Sequence, residues 1–465
     1  MGEQLGTGAG NRHAVVIGGG IAGLLAARVL AEHAVRVTIV ERDRFPEEPG
    51  QRAGVPQGWH THVLLEGGQR ALEELLPGVM DELRASGAPR VGMPEDMVQC
   101  HGGRWFRRTA ATSPLYTGTR PALEHLLRRR VLADDRIATV QGTEVVGLLG
   151  DAARVRGVLL REKGAGAGTR PLTADLVVDA SGRGSPAPRW LDAIGAERPD
   201  EETIDTGLAY ATRVYRDGSE GALADCLGYY LLPGPDQPYS GGVIPIEGGR
   251  HLVTLSGLRG DEPPTDGAAF EDYAKRLPHP IVHDWLRLAR AESPVRGFRG
   301  TANTRRRYDR PGRRPAGFLV TGDALCAFNP IYGQGMAVAA LSALALRDAL
   351  ADRRRTPTTR RVQRAVFRAS AQAWAISSGA DKKMPGARGN ALDTPAVQRP
   401  AAWYLGRVQA RYTGDPVVGR AFRSVLALVD PVTVLFAPKV ARAVLFAPVP
   451  ATPPEPPLKA EERAG

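Results

Sequence analysis

The chain has 465 residues, 43% of them hydrophobic and 24% charged, with a formal net charge of +11. That length exceeds one typical domain, and that balance is globular, not disordered. The cations are nearly all arginines in short runs, at residues 128–130, 305–307 and 353–355, with no interleaved aromatics to stack bases; this argues against a nucleic-acid surface and leaves open a docking surface for an acidic redox partner.

Residues 14–17 read as a short buried strand. Gly18-x-Gly20-x-x-Gly23 then makes a tight turn, with Ile21 and Ala22 opening a helix whose apolar spacing runs from Leu24 to Leu30. Such glycines let the backbone approach a pyrophosphate, whose charge suits the helix N-terminus. A second strand, residues 35–40, ends at Glu41, at the spacing where an acid binds the adenosine ribose hydroxyls. Arg52 is placed for a phosphate-side contact. His60 and His62 lie in a loop without carboxylate or cysteine partners, so no metal site is assigned. Gln57, His60 and His62 are expected to cap a helix starting near His62 or to hydrogen-bond near the cofactor.

Residues 75–86 read as a helical excursion and 92–114 as strands and loops. Residues 118–195 hold a helix, a β-meander with a strand-like run at 142–149, and a strand at 175–179 followed by Ser181-Gly182. Residues 164–168 read as a flexible hairpin tip. The alternating runs 229–232, 241–246 and 251–256 predict an antiparallel sheet, with a helix over 270–277. An apolar strand at 318–321 ends at Gly322-Asp323. A loop with Pro330 follows, and Gly333-Gln334-Gly335-Met336 opens a long Ala/Leu helix. Residues 360–446 predict a helical cap that ends in an amphipathic pair over 432–446, which packs on the body or touches a membrane surface. The proline-rich segment after Pro448 predicts a disordered tail.

The second glycine motif decides the cofactor. Asp323 can accept hydrogen bonds from the hydroxyls of a sugar-like chain. The backbone N–H groups of residues 333–336 can face the electron-rich edge of a flat ring at a positive helix end. Paired with the first loop, this points to FAD, one molecule held non-covalently. A nicotinamide site closes within one continuous half of a chain, whereas this one closes only at Gly322-Asp323, in the last third. The fold class is therefore α/β with α+β elements: a Rossmann-like FAD-binding domain, an inserted antiparallel-sheet substrate domain and a C-terminal helical region. The FAD domain takes 12–75, 118–195 and 300–350, the substrate domain 76–117 and 196–299, the helical region 351–447 and the tail 448–465.

These motifs, with Glu41-Arg42, the segment 119–127 beginning Thr-Arg120-Pro and the strand 175–182, resemble in order the single-chain FAD monooxygenases related to aromatic hydroxylases. Within them the chain looks most like squalene epoxidase and the bacterial epoxidases that prepare polyenes for polyether formation. The resemblance covers roughly residues 12–350. It implies that Glu41 binds the adenosine ribose, with Arg42 on the adenine side and Val145 touching the adenine. It places Arg120 along the pyrophosphate and sugar chain and Asp323 at the ribityl chain. Pro330 lies beside the reactive edge of the flavin, and Gly333, Gln334, Gly335 and Met336 face its pyrimidine edge. No protein acid, base or nucleophile is required, and no catalytic residue is assigned.

Three scattered cysteines, Cys100, Cys226 and Cys326, exclude a disulfide framework and fit a reducing cytoplasm. No apolar run reaches the roughly 20 residues of a spanning helix, and the N-terminal stretch carries no cleavage pattern. A second strand–glycine–helix unit for NADPH is missing, so a separate flavin reductase is an expected partner. A halogenase is argued against by its paired tryptophans, because the six here are never two apart. The expected reaction is epoxidation of an alkene in an apolar polyketide or terpenoid by FAD and dioxygen. The alternatives are hydroxylation of an aromatic ring and reduction of a polyprenyl chain; a non-catalytic flavin-binding module ranks last. Tyr210, Tyr229, Tyr230, Leu231, Val243, Ile244 and Leu255 lie on the predicted roof strands, where alternation lets only every second residue face a pocket.

Overall fold

The computed structural model describes residues 12–459 apart from 165–167, 219–222, 224, 313, 394 and 395. Most of the expected hairpin tip and the end of the expected tail lie outside the described residues. A five-stranded parallel sheet organises the FAD-binding part. Its strand order is Phe318–Val320, Leu176–Asp179, His13–Ile17, Arg36–Glu41 and Ile137–Gln141. Helices Ile21–Leu30 and Gly335–Ala351 pack together on this sheet, and an antiparallel sheet of Thr143–Gly150, Val155–Glu162 and Arg170–Thr173 lies against it. Cover on both faces explains why these strands read as continuous apolar runs: Val15, Val16, Val37 and Ile39 are all fully buried. At the edge strand Phe318–Val320, the side-chain amide of Gln363 accepts from Val320 N at 2.8 Å and donates to Val320 O at 3.0 Å. A buried side chain thus occupies the next strand's place.

The second sheet has eight strands. Its path runs Arg290–Ala291, Ala209–Arg216, Arg250–Gly257, Ser240–Ile246, Gly228–Leu232, Met97–His101 and Arg104–Trp105, and Arg296–Phe298 also pairs with Ala209–Arg216. Register sorts its residues into two faces. Ala211, Leu255 and Leu231 share one face with Val253, Val243 and Tyr229. That face forms a core with Phe270, Val282 and Trp285 of helices Gly267–Tyr273 and Ile281–Leu286. The opposite face carries Phe298, Tyr210, Thr212, Thr254, Tyr230 and Ile244. Of the seven residues placed on the roof strands, of which only every second could face a pocket, Tyr229, Leu231, Val243 and Leu255 are helix-packed core, while Tyr210, Tyr230 and Ile244 lie on the other face.

Two local expectations differ from what forms, the helix start near His62 and the disordered tail, while residues 92–114 form strands and loops as expected. Residues His62–Leu64 are a strand paired with Ser113–Gly118, and the helix begins only at Glu66. His62 therefore caps no helix; its Nδ1 hydrogen-bonds with the His60 carbonyl at 2.8 Å. Residues 92–114 split: Met97–His101 and Arg104–Trp105 join the roof sheet, while Arg90–Met93 pairs with Ser113–Gly118 beside His62–Leu64. The described part of the proline-rich segment lies on the body. Arg108, almost wholly buried, donates to the carbonyls of Pro457, Leu458, Asp225 and Glu95. Main-chain carbonyls of Pro457 and Leu458 hold the segment there, a contact that its proline-rich composition does not announce.

Candidate active site

The first glycine loop is shaped by three different contacts. Gly18 has φ +97°, and a Cβ there would meet Ala180 O at 2.7 Å, at the end of strand Leu176–Asp179. A Cβ on Gly23 would lie 1.9 Å from Gly18 O, so glycine lets the helix close on the turn. Around Gly20 a Cβ would meet nothing within 4 Å. That helix has no side-chain cap at Gly20 and no acid in its first turn, so the N–H groups of Ile21 and Ala22 face an open cradle.

The distant motif arrives at the same place. Gly322 has φ +59°, and a Cβ there would come within 2.6 Å of the Ala22 side chain. Asp323 follows in a single turn of 3₁₀ helix; one of its carboxylate oxygens is 4.0 Å from the Cβ position of Gly335. No described residue donates a hydrogen bond to that carboxylate. Gly333, at φ +65°, leaves room for Val63, whose side chain would lie 2.4 Å from a Cβ. Gln334 is almost wholly buried, and its Oε1 has no partner.

Glu41 is buried, accepting from Gly19 N at 2.7 Å and Asp43 N at 2.9 Å. Arg42 is exposed and donates to Gly54 O. Val145 is half-buried on a strand packed against Arg36–Glu41. Arg52 is buried among carboxylates: its guanidinium donates to Glu124 Oε1, lies 3.2 Å from Glu41 and 3.8 Å from Asp43. Burial opposes its charge, but the three acids outweigh this and raise its pKa. Arg120 Nε is 3.7 Å from Glu124 Oε2, and both atoms are buried without a hydrogen-bond partner. Arg120 and Met336 line a cavity with His62, Tyr116, Thr117 and Glu247, into which Thr117 brings another unpartnered hydroxyl. Buried polar atoms left without a hydrogen-bond partner at Thr117, Arg120, Glu124 and Gln334 fit a large polar ligand between the two glycine motifs.

The 3₁₀ turn Pro330–Tyr332 lies under the roof sheet. Ile331 packs with Leu208, Tyr210, Leu258, Phe298 and Met384. Tyr230 donates its hydroxyl to Ile331 O at 2.9 Å. From the C-terminal helix Ala371–Asp381, buried Asp381 accepts from Tyr332 OH at 2.6 Å, Asn303 Nδ2 at 2.6 Å and Asn329 Nδ2 at 2.9 Å. Burial raises the pKa of Asp381 in spite of these donors. Beside them the Tyr210 and Phe298 rings stack at 5.3 Å, with the His60 ring edge-on to Tyr210 at 4.7 Å. His60 Nδ1 hydrogen-bonds with Thr212 Oγ1 at 2.8 Å, Thr212 with Thr254 at 2.7 Å and Thr254 with Thr61 at 2.8 Å. Burial lowers the His60 pKa to about 4, and burial with nearby Arg120 lowers that of His62 to about 3. Both rings are neutral near pH 7, and no group of three His, Cys, Asp or Glu among the described residues could hold a metal.

Sequence reasoning anticipated neither Asp43 and Glu124 around Arg52 nor the Asp381 network. Arg120-x-x-x-Glu124 was a readable signal, since residues four apart share a helix face. Phe45 was missed too; a Cβ on Gly19 would sit 2.5 Å from its ring.

A parallel sheet with two glycine motifs closing on one cradle, beneath an inserted antiparallel roof, defines a flavoprotein of the two-domain oxygenase type. The chain belongs to the FAD-binding domain family, whose profile matches residues 12–378. Its cofactor is FAD, and it is a FAD-dependent monooxygenase of the aromatic-hydroxylase-like kind. It is 33% identical over 431 residues to Protein Rv3254 of Mycobacterium tuberculosis, covering 90% of each chain. It is 29% identical over 359 residues to 6-methylpretetramide 4-monooxygenase of Streptomyces rimosus, covering 72% of this chain and 74% of that one. A flavin-dependent brominase shares the fold at a TM-score of 0.65 and 15% identity, over 89% of this chain and 93% of that one. No helix among the described residues is long and apolar enough to cross a membrane.

Proposed function

We propose that the protein adds one oxygen atom from dioxygen to a polycyclic, polyketide-like aromatic substrate held between the Pro330–Tyr332 turn and the roof sheet. The observation that carries this reading is the roof's inner face. Tyr210 and Phe298 offer stacked rings, and Thr61, Thr212, Thr254 and His60 form a row of neutral hydrogen-bonding groups beside them. Flat rings bearing hydroxyl or keto groups match that combination. The relative from Streptomyces rimosus, named as a monooxygenase of 6-methylpretetramide, supports the same substrate class. Epoxidation of an alkene, as in the squalene and polyether epoxidases, is the second reading. It is favoured by the apolar cluster of Leu208, Leu258, Ile331 and Met384 at the turn.

Bound FAD supplies the activation of dioxygen. The residues proposed to hold it are Gly18, Gly20, Ile21, Ala22 and Gly23 at the pyrophosphate, Glu41, Arg42 and Val145 at the adenosine, and Arg52, Arg120 and Asp323 along the phosphates and sugar chain. Pro330, Gly333, Gln334, Gly335 and Met336 would border the ring. The roof excludes water from the reacting face. The Thr212 and Thr254 hydroxyls, held in place by His60 Nδ1 and Thr61, orient the substrate's oxygens, and no side chain is assigned as nucleophile. Cys100, Cys226 and Cys326 are free and buried, which supports a cytoplasmic location. The described residues hold one all-parallel sheet with one glycine-loop crossing, which supports electron supply by a separate flavin reductase.

The test is incubation of the holoenzyme with labelled dioxygen, a reductase and a panel of polycyclic phenols and polyenes. A singly labelled ring hydroxyl is expected. An epoxide with untouched rings selects the second reading, and turnover without label incorporation overturns both. Anaerobic mixing with NADPH alone should reduce the flavin slowly; fast, saturable reduction would remove the need for a reductase.

A further inference from the structure

Helices Arg399–Gln409 and Pro438–Phe446, with the 3₁₀ turn Val432–Phe436, bury one side in a common core that includes Tyr404, Val408, Leu435, Val440 and Val444. Their outer sides are not polar. Phe446 is 82% exposed, Trp403 61% and Phe436 45%, and Leu445 and Val449 are exposed as well. Side-chain contacts join these groups into one patch. The Arg407 guanidinium lies 5.4 Å from the Trp403 ring centroid and donates to Val444 O and Leu445 O. The Tyr404 ring stacks on Phe436 at 4.6 Å, and the Tyr404 hydroxyl donates to Leu435 O.

The charged residues within these helices and the turn have one sign. Residues 396–414 and 431–454 contain no aspartate or glutamate at all. The same stretches carry Arg399, Arg407, Lys439 and Arg442. Lys439 and Arg442 are exposed on the same face of helix Pro438–Phe446 as Leu445 and Phe446, since positions 439, 442 and 446 follow helical spacing. Exposed aromatic and aliphatic tips beside Lys439 and Arg442, on short helices lying along the surface, have the composition of an interfacial element.

We propose that this C-terminal patch docks the enzyme peripherally on an anionic lipid bilayer. Trp403, Phe436, Leu445 and Phe446 enter the headgroup boundary, and Lys439 and Arg442 contact lipid phosphates. The assignment is independent of the reaction catalysed.

The test is co-sedimentation of the FAD-loaded full chain with vesicles of phosphatidylcholine alone or with one third phosphatidylglycerol. Partition is expected to be at least about tenfold stronger on the anionic vesicles and to weaken with salt. Trp403 emission should shift to the blue on binding. The double substitution Trp403→Ser and Phe446→Ser should abolish partition with FAD content and melting temperature unchanged. The pair Lys439→Glu and Arg442→Glu should abolish the anionic preference. Absence of partition at low salt, or partition indifferent to both pairs, overturns the proposal. So does a dimer in size-exclusion that the serine pair converts to monomer, because the patch would then join two copies of the chain.

Discussion

Gly20 and Gly23 belong to one motif but should fail in opposite ways. Gly23→Ala places a methyl 1.9 Å from the Gly18 carbonyl oxygen, inside the turn's own backbone. Relief requires the helix Ile21–Leu30 to move off the parallel sheet, at a cost of roughly 3 kcal/mol or more. Gly20 is at φ −80° and ψ −178°, an extended conformation open to any residue, with nothing within 4 Å of a new Cβ. Losing glycine at a helix start costs up to about 1 kcal/mol, while restricting the unfolded chain returns about 0.4–1 kcal/mol. The flavin-free Gly20→Ala protein should therefore match the parent within about 1 kcal/mol. Its methyl occupies the cradle, however, and keeps a pyrophosphate from the N–H groups of the first turn. Loss of even one charge-assisted hydrogen bond costs about 1.5 kcal/mol or more, at least tenfold in affinity. Thermal melts of the flavin-free proteins and titration with FAD separate the two effects. Parental FAD affinity in Gly20→Ala, or a melting loss in it equal to that of Gly23→Ala, would refute the division of labour.

Asp323→Ala should weaken FAD binding by about 1.5–3 kcal/mol with little change in the flavin-free melt; unchanged affinity in a flavin titration would show that this carboxylate does not hold the cofactor. His60 is buried and its pKa is lowered from 6.5 to about 4, so the unfolded chain binds the extra proton between those values. Stability from this group is complete above pH 6.5 and falls as pH drops toward 4, by about 3 kcal/mol in all. Denaturant melts across that range should show the slope, and His60→Phe should reduce it, with the lowered pKa of His62 sustaining the remainder. Asp381→Ala leaves the donors of Tyr332, Asn303 and Asn329 without their acceptor, at roughly 3 kcal/mol or more. The flavin spectrum should change with it, because Asn329 and Tyr332 set the turn Pro330–Tyr332; an unaltered spectrum and melt would deny Asp381 that role.

The parallel-sheet half of the fold was legible because its signals are local. Four residues of apolar strand, three glycines and a terminal acid define the first crossing, and Gly322-Asp323 repeats the logic. The roof was legible as a sheet but only half legible as a surface. Alternation says that Tyr229 and Tyr230 face opposite ways; it does not say which of them meets helices Gly267–Tyr273 and Ile281–Leu286. His62 misled because a three-residue strand leaves no periodicity to read. The Arg52 cluster and the Asp381 network were out of reach for another reason. Each unites residues far apart in sequence, such as Arg52 with Glu124 and Asp381 with Asn303, and nothing local marks the partnership.

The seating of Gln363 against Val320 has a consequence for biosynthesis. Strand Leu176–Asp179 leaves the ribosome long before Phe318–Val320, its neighbour on one side, and Gln363 follows later still. A nascent chain of this protein therefore carries a naked, apolar parallel edge through translation of the six roof strands between residues 209 and 298. Such an edge recruits strands from other chains. Truncation before Gln363 should yield an aggregating product, even though both glycine motifs are present in it.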